Sequence, residues 1–109
     1  MIEEIIVKYL SDALDVFVGL EEKAGIQEYV LIEKTGSSCS DFVKSATIAI
    51  KSHADTKYNA ARLNESVKNA MDNIIILDEI SSSKLNTDYD FTDTTKKKCR
   101  YQAIYDLVY

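Results

Sequence analysis

The chain has no proline and no tryptophan, and only three glycines in 109 residues, so few positions force a turn with φ > 0. Three glycines also leave no GxGxxG match and no GxxxxGK loop to cradle a phosphate. The two cysteines, Cys39 and Cys99, are far apart and lack CxxC spacing. With no secretion signal, they read as free thiols of a reducing compartment. The start, MIEEIIVKYLSDALDVF, carries acids at once and lacks the basic opening of a signal peptide. No apolar run approaches the roughly 20 residues of a membrane span. Basic residues are in deficit: 13 Lys and Arg against 18 Asp and Glu give a net charge of −5. That balance argues against a general nucleic-acid binder, although a local basic cluster can still meet an acidic surface.

What is present is a globular composition, 46% apolar, of the length of one domain, residues 1–109. Residues 2–14 place Ile2, Ile5, Ile6, Tyr9, Leu10, Ala13 and Leu14 at helical spacing, with Glu3 and Glu4 in the first turn. Val16-Phe17-Val18 reads as a brief edge strand, and residues 19–27 as a polar loop. Residues 28–35 read as a strand, residues 36–40 as a five-residue polar turn, and residues 41–53 as a second strand. In that second strand Phe42, Ala46, Ile48 and Ile50 share one face. Asp55 is the expected N-cap of a helix over residues 56–73, with Ala60, Leu63, Val67, Ala70, Met71 and Ile74 on its apolar stripe. Residues 74–77 return the chain to the sheet.

Residues 80–109 read as a long hairpin. Ser81, Ser83, Leu85, Thr87, Tyr89 and Phe91 share a face of its first strand. Thr92 to Lys98 form the tip, and Cys99, Tyr101, Ala103, Tyr105, Leu107 and Tyr109 share a face of its last strand. The expected architecture is α+β: a mainly antiparallel sheet of four or five strands with two helices on one face.

The search for chemistry is short. The single histidine, His53, has Asp55 as its only carboxylate neighbour in sequence and reads first as a surface or capping residue. One histidine and two distant cysteines are too sparse for zinc, and the cysteines default to small buried hydrophobes, with exposure the alternative for Cys39 among its serines. The run Asp88, Asp90, Asp93 lacks the glycine and glutamate of a calcium loop and reads as the polar edge of a strand. Lys96, Lys97, Lys98 and Arg100 form the only basic cluster. It is either a solvated tip that discourages edge-to-edge pairing or a contact for an acidic partner surface. Tyr101, Tyr105 and Tyr109 suit both a core and an interface. No catalytic residues, cofactor or metal are expected.

LNTDYDFTDTTKKKCRYQAIYDLVY resembles the closing segment of small tail-completion proteins of long-tailed bacteriophages and prophages, with Cys99 standing where those proteins carry an aromatic. YVLIEKTGSS at residues 29–38, FVKSATIAIKSHA at 42–54 and LNESVKNAMD at 63–72 match the same family in the same order. Many relatives have prolines after the first helix, where this chain has GLEEKAGIQ. The resemblance implies a non-catalytic virion protein, similar to tail terminators and head–tail joining proteins of the lambda type. Such proteins form rings, usually hexameric, that cap the tail tube and meet the head connector. It implies assembly in the host cytoplasm and a final place at the head-proximal end of the tail. Self and other tail or connector proteins are the implied partners, with no nucleic acid as primary ligand and no membrane. The residues expected at the contacts are the two hairpin tips: Asp93, Thr94, Thr95, Lys96, Lys97 and Lys98 with Arg100 on one, and Gly36, Ser37, Ser38 and Asp41 on the other. The competing readings are a small cytoplasmic interaction or regulatory module, antitoxin-like, and an enzyme built on His53.

Overall fold

The first helix follows from its spacing. In α1 (Ile2–Ala13), Ile2, Ile6 and Leu10 recur every four residues and are fully buried, while Glu3 and Glu4 occupy the first turn. The computed structural model describes residues 1–92 and 99–109. After α1 come β1 (Phe17–Gly19), β2 (Tyr29–Ser40), β3 (Val43–Ala54), α2 (Lys57–Asp72), a 3-10 turn (Ile74–Ile76), β4 (Ser82–Asp90) and β5 (Cys99–Val108). The five strands form one sheet in the order β1-β2-β3-β5-β4. Only the β1–β2 pair is parallel. The fold is α+β, with both helices on one face, as expected. No helix among the described residues is long and apolar enough to cross a membrane.

The core lies between the helices and one face of the sheet. Ile6, Leu10, Val67 and Met71 pack on Val30, Ile32, Ile48, Ile50, Ala103, Tyr105 and Leu107. These strand residues alternate along β2, β3 and β5, so one face of each is committed to the interior. The Tyr9 hydroxyl donates to the Ala70 carbonyl at 2.7 Å and ties α1 to α2.

Four sequence expectations are corrected. First, β2 does not stop at Thr35: it continues to Ser40, and the reversal is made by Asp41 and Phe42 alone. Gly36, Ser37 and Ser38 pair in register with Thr47, Ala46 and Ser45, and the Ser38 and Ser45 hydroxyls are hydrogen-bonded at 2.6 Å. Short polar side chains across the ladder thus replace a loop with strand. Second, Phe42 does not share the face of Ala46 and Ile48 but stands in the turn, fully exposed. Third, Thr56 caps α2. Its extended backbone lets the side-chain oxygen accept from the Asn59 N–H at 3.1 Å, while Asp55 accepts from the Asn59 side-chain amide at 3.0 Å.

Fourth, the uniform face expected of the first closing strand is broken. β4 slips one residue between Leu85 and Thr87. Leu85 lies opposite the buried Tyr105, but after the bulge Asp88 lies opposite the buried Ala103, and Tyr89 opposite Gln102. Asp88 therefore faces α2, where its Oδ2 accepts from Asn64 Nδ2 and from Lys68 Nζ, each at 3.0 Å. Asn64 is almost wholly buried. Lys68 also pairs with Glu65 at 2.9 Å, and the hydrogen bonds it donates to Glu65 and then to Asp88 raise its pKa. Lys57 of α2 reaches Asp90 at 3.3 Å. Tyr89 sits on the other face and accepts from Gln102 Nε2 at 2.9 Å. A polar clamp thus holds the edge strand β4 to α2.

Two variants test this arrangement. Asp88→Ala leaves the buried Asn64 amide without its acceptor and should cost about 1–3 kcal/mol in denaturant unfolding at neutral pH. Tyr105 buries a hydroxyl that has no hydrogen-bond partner among the described residues, and desolvation pushes its pKa up to about 12. Because the folded value lies above the ordinary tyrosine value of roughly 10, stability falls as pH rises from about 10 toward 12. Tyr105→Phe should be neutral or stabilising at pH 7 and should flatten that alkaline decline, as measured by unfolding across this window.

Candidate interaction surfaces

The β2–β3 reversal lies at one end of the sheet, and β4 ends and β5 begins at the other. β3 pairs with β5 from Ser45 opposite Val108 to His53 opposite Arg100. Eight residue steps at a strand rise of 3.4 Å separate these ends by about 27 Å. Gly36, Ser37, Ser38 and Asp41 are brought together near the first end, all exposed. Arg100 stands at the other end. It is half-buried, its guanidinium lies over the Phe91 ring at 4.3 Å, and its Nε donates to the Phe91 carbonyl at 2.6 Å. The remaining expected contact residues, Asp93, Thr94, Thr95, Lys96, Lys97 and Lys98, lie outside the described residues.

Only the end of the β2–β3 hairpin, residues 40–44, is a short arm, because β3 pairs with β5 from Ser45 onward and the Tyr109 N–H donates to the Lys44 carbonyl at 2.9 Å. β1 covers the outer edge of β2 only at Tyr29, Val30 and Leu31. From residue 32 to residue 40 that edge pairs with no other strand among the described residues. Its backbone N–H and C=O groups are a template for an added strand. The opposite edge, β4, is protected by Lys84 and by the clamp of Asp88 and Asp90 to α2; a register shift is common to both edges, since β2 has one between Lys34 and Gly36. The β2 edge carries mostly small polar residues instead, and every residue from 33 to 44 is exposed.

The end of the arm is strained. Asp41 and Phe42 have φ of 51° and 65°, the left-handed pair that a two-residue type I′ turn requires. Asn and Gly usually fill that turn, and a non-glycine residue there costs about 1–2 kcal/mol. Phe42 adds full exposure of an aromatic ring, and Val43 beside it is half exposed. Sequence reasoning missed Phe42 because no Gly or Asn marks the reversal.

A second feature lies on the helical layer. Ile5 and Tyr9 of α1 and Leu77 floor a groove of about 360 Å³, rimmed by Glu4, Lys8, Asp12 and Glu79. Ile75 and Ile76, just before Leu77, are well exposed. The apolar periodicity of α1 marked Ile5 and Tyr9 only as core. Their half-exposure depends on where the segment after α2 lies.

A larger, open cleft of about 590 Å³ lies between residues 22–27 and the strand ends at Tyr29, His53 and Cys99. His53 is buried and stacked on Tyr29, with ring centroids 4.5 Å apart, which corrects its reading as a surface residue. Burial, and then the Glu22 carboxylate, raise the Tyr29 pKa. Cys39 is exposed on β2, and Cys99 is half-buried. Cys99 thus departs from the default of a buried small hydrophobe, and Cys39 follows the exposure that its serine neighbours suggest. No three His, Cys, Asp or Glu side chains among the described residues stand together as metal ligands. Asp88 and Asp90 are engaged by α2, and hydrogen bonds from Thr92 lower the Asp90 pKa. No family model and no curated protein matches the chain.

The strained tip makes a direct prediction. Phe42→Gly gives an Asp-Gly turn. Relief of left-handed strain exceeds the added flexibility of the unfolded chain, so stability should rise by about 0.5–1 kcal/mol. A rise in Tm in circular dichroism melts checks it, and a fall would show that the ring packs on something within the fold.

Proposed function

We propose that the chain is a structural protein of a long-tailed phage or prophage particle. In this reading it completes or terminates the tail tube and joins it to the head, as a ring of copies, with no catalytic role. The observation that carries the reading is the far end of the β2–β3 hairpin: an open β2 edge that leads to a strained aromatic tip beyond the end of β5. Nothing in the fold uses these features, and all of them suit contact between chains. The resemblance of residues 29–38, 42–54, 63–72 and 85–109 to tail-completion proteins supplies the particle.

The ring also fits the layout. A ring is built from heterologous contacts, in which one patch meets a different patch on the next copy. Here the arm lies at one end of the sheet, and β4 ends and β5 begins at the other. One end can face a neighbour while the other faces the connector or the tube. The basic residues Lys96, Lys97 and Lys98 would provide the second contact, against an acidic surface.

The test is a lysogen that carries this gene, induced with the gene deleted and then complemented. Electron microscopy of the deletion should show unjoined heads and tails or overlong tails. Wild-type complementation should restore joined particles. Replacing Lys96, Lys97 and Lys98 by glutamate should fail to restore them while the protein stays folded. Normal particles from the deletion would sink the assignment.

A further inference from the structure

We propose that Phe42, at the tip of the arm of one copy, seats its ring in the groove between α1 and Leu77 of a second copy. The proposal rests on the ring reading and names its contact. Three observations converge on it.

The first is that Phe42 has no role inside its own fold. It is fully exposed and held at φ 65°, so the chain bears both strain and an exposed aromatic at one position. Local strain of this kind persists where it serves a function. A rigid aromatic on a two-stranded support is the kind of side chain that anchors interfaces.

The second is the fit of the groove. Its floor is Ile5, Tyr9 and Leu77, all half-buried, and its volume of about 360 Å³ admits one aromatic side chain. Its rim carries three carboxylates, Glu4, Asp12 and Glu79, against one ammonium, Lys8. Asp41 and Lys44 flank the ring on the tip. With Phe42 seated, Lys44 meets the acidic rim and Asp41 meets Lys8, so both charges of the tip find opposite partners.

The third is reach. Lys34 of β2 pairs with Glu3 at 3.8 Å, which fixes the start of α1 beside the middle of β2. Asp41 lies seven strand residues further on, about 24 Å away along a paired ladder. The tip is thus carried away from the groove of its own chain, and the groove it enters is that of another copy. Tip and groove are different patches, so the contact is heterologous and repeats from copy to copy until a ring closes. One seated aromatic buries roughly 150–250 Å², far below a stable interface. The contact alone is therefore weak and is captured best covalently.

The experiment places a photo-crosslinker in the tip, Phe42→p-benzoylphenylalanine, in the full chain, and irradiates it in solution. The expected product is a ladder of covalent oligomers whose cross-linked peptides contain residues 4–12 or 77–79. Lys44→Glu in the same background should cut the yield roughly tenfold, and adding Glu79→Lys should restore it. An unchanged yield with Lys44→Glu, absence of intermolecular adducts, or adducts confined to other parts of the chain would overturn the proposal. Phe42→Gly gives an independent control: it should raise the melting temperature yet lower self-association in sedimentation at high concentration. Self-association unaffected by Phe42→Gly would also overturn the proposal. Adducts to another surface of a second copy would remove this contact and leave the ring standing. Joined particles in the absence of the gene would remove the phage reading whether or not the adduct forms.

Discussion

Everything in this fold depends on the pairing of β3 with β5. Ten consecutive residue pairs, from Ser45–Val108 to Ala54–Cys99, join the two hairpins into one sheet. Without that seam each hairpin would be a two- or three-stranded ribbon with no floor for the helices, and isolated ribbons of that kind are marginal in water. The seam brings together residues about half the chain apart, so its closure entropy falls due before the core rewards it. The inner face supplies that reward: Ile48, Ile50, Ala103, Tyr105 and Leu107 meet under α2, beside the part of the core that α1 makes with β1 and β2.

The seam also decides what is left over. With β3 and β5 in the middle, the sheet has two outer strands of opposite character. β4 is bulged, charged and clamped to α2 through Asp88 and Asp90. β2 is covered by three residues of β1 and then runs bare to the turn. One edge is closed to other chains and the other is open, which gives the molecule a direction. An assembly that adds copies by unlike patches needs such a direction.

Much of this was legible in the sequence. The α1 stripe, the apolar stripe of α2 and the alternation of β5 are periodic over ten or more residues, and each lies where its period placed it. The misses arise where a local signal is absent or doubled, and the largest moves residues 36–40 from turn to strand. The turn at Asp41–Phe42 lacks the glycine or asparagine that announces its backbone, so its position was assigned to the serines before it. The cap moved from Asp55 to Thr56 because both residues suit the role and only the geometry at Asn59 selects one. His53 was read as exposed because its stacking partner, Tyr29, is a neighbour only across the sheet. Of the candidate contact residues, Gly36, Ser37 and Ser38 lie in strand β2 and not in the turn expected of them, and Asp41 lies in the turn. Arg100 proved to be bound to Phe91.

The bulge in β4 acts as a phase shift between two halves of one strand. Upstream of Asn86, Ser83 and Leu85 look toward the core side; downstream, Asp88 and Asp90 do. The extra residue is itself anchored, since its side-chain amide donates to Asp106 Oδ2 at 3.0 Å, and Asp106 Oδ1 accepts from Thr47 at 3.0 Å. Deleting Asn86 would remove the bulge yet keep Thr87 opposite Ile104 and Asp88 opposite Ala103, so the clamp to α2 would stay in register. Closing the bulge with Asn86 retained would instead place Asn86 opposite Ile104, turn Tyr89 toward α2 and turn Asp88 and Asp90 to water. The extra residue is thus what lets this strand offer α2 carboxylates where strict alternation would offer an aromatic ring.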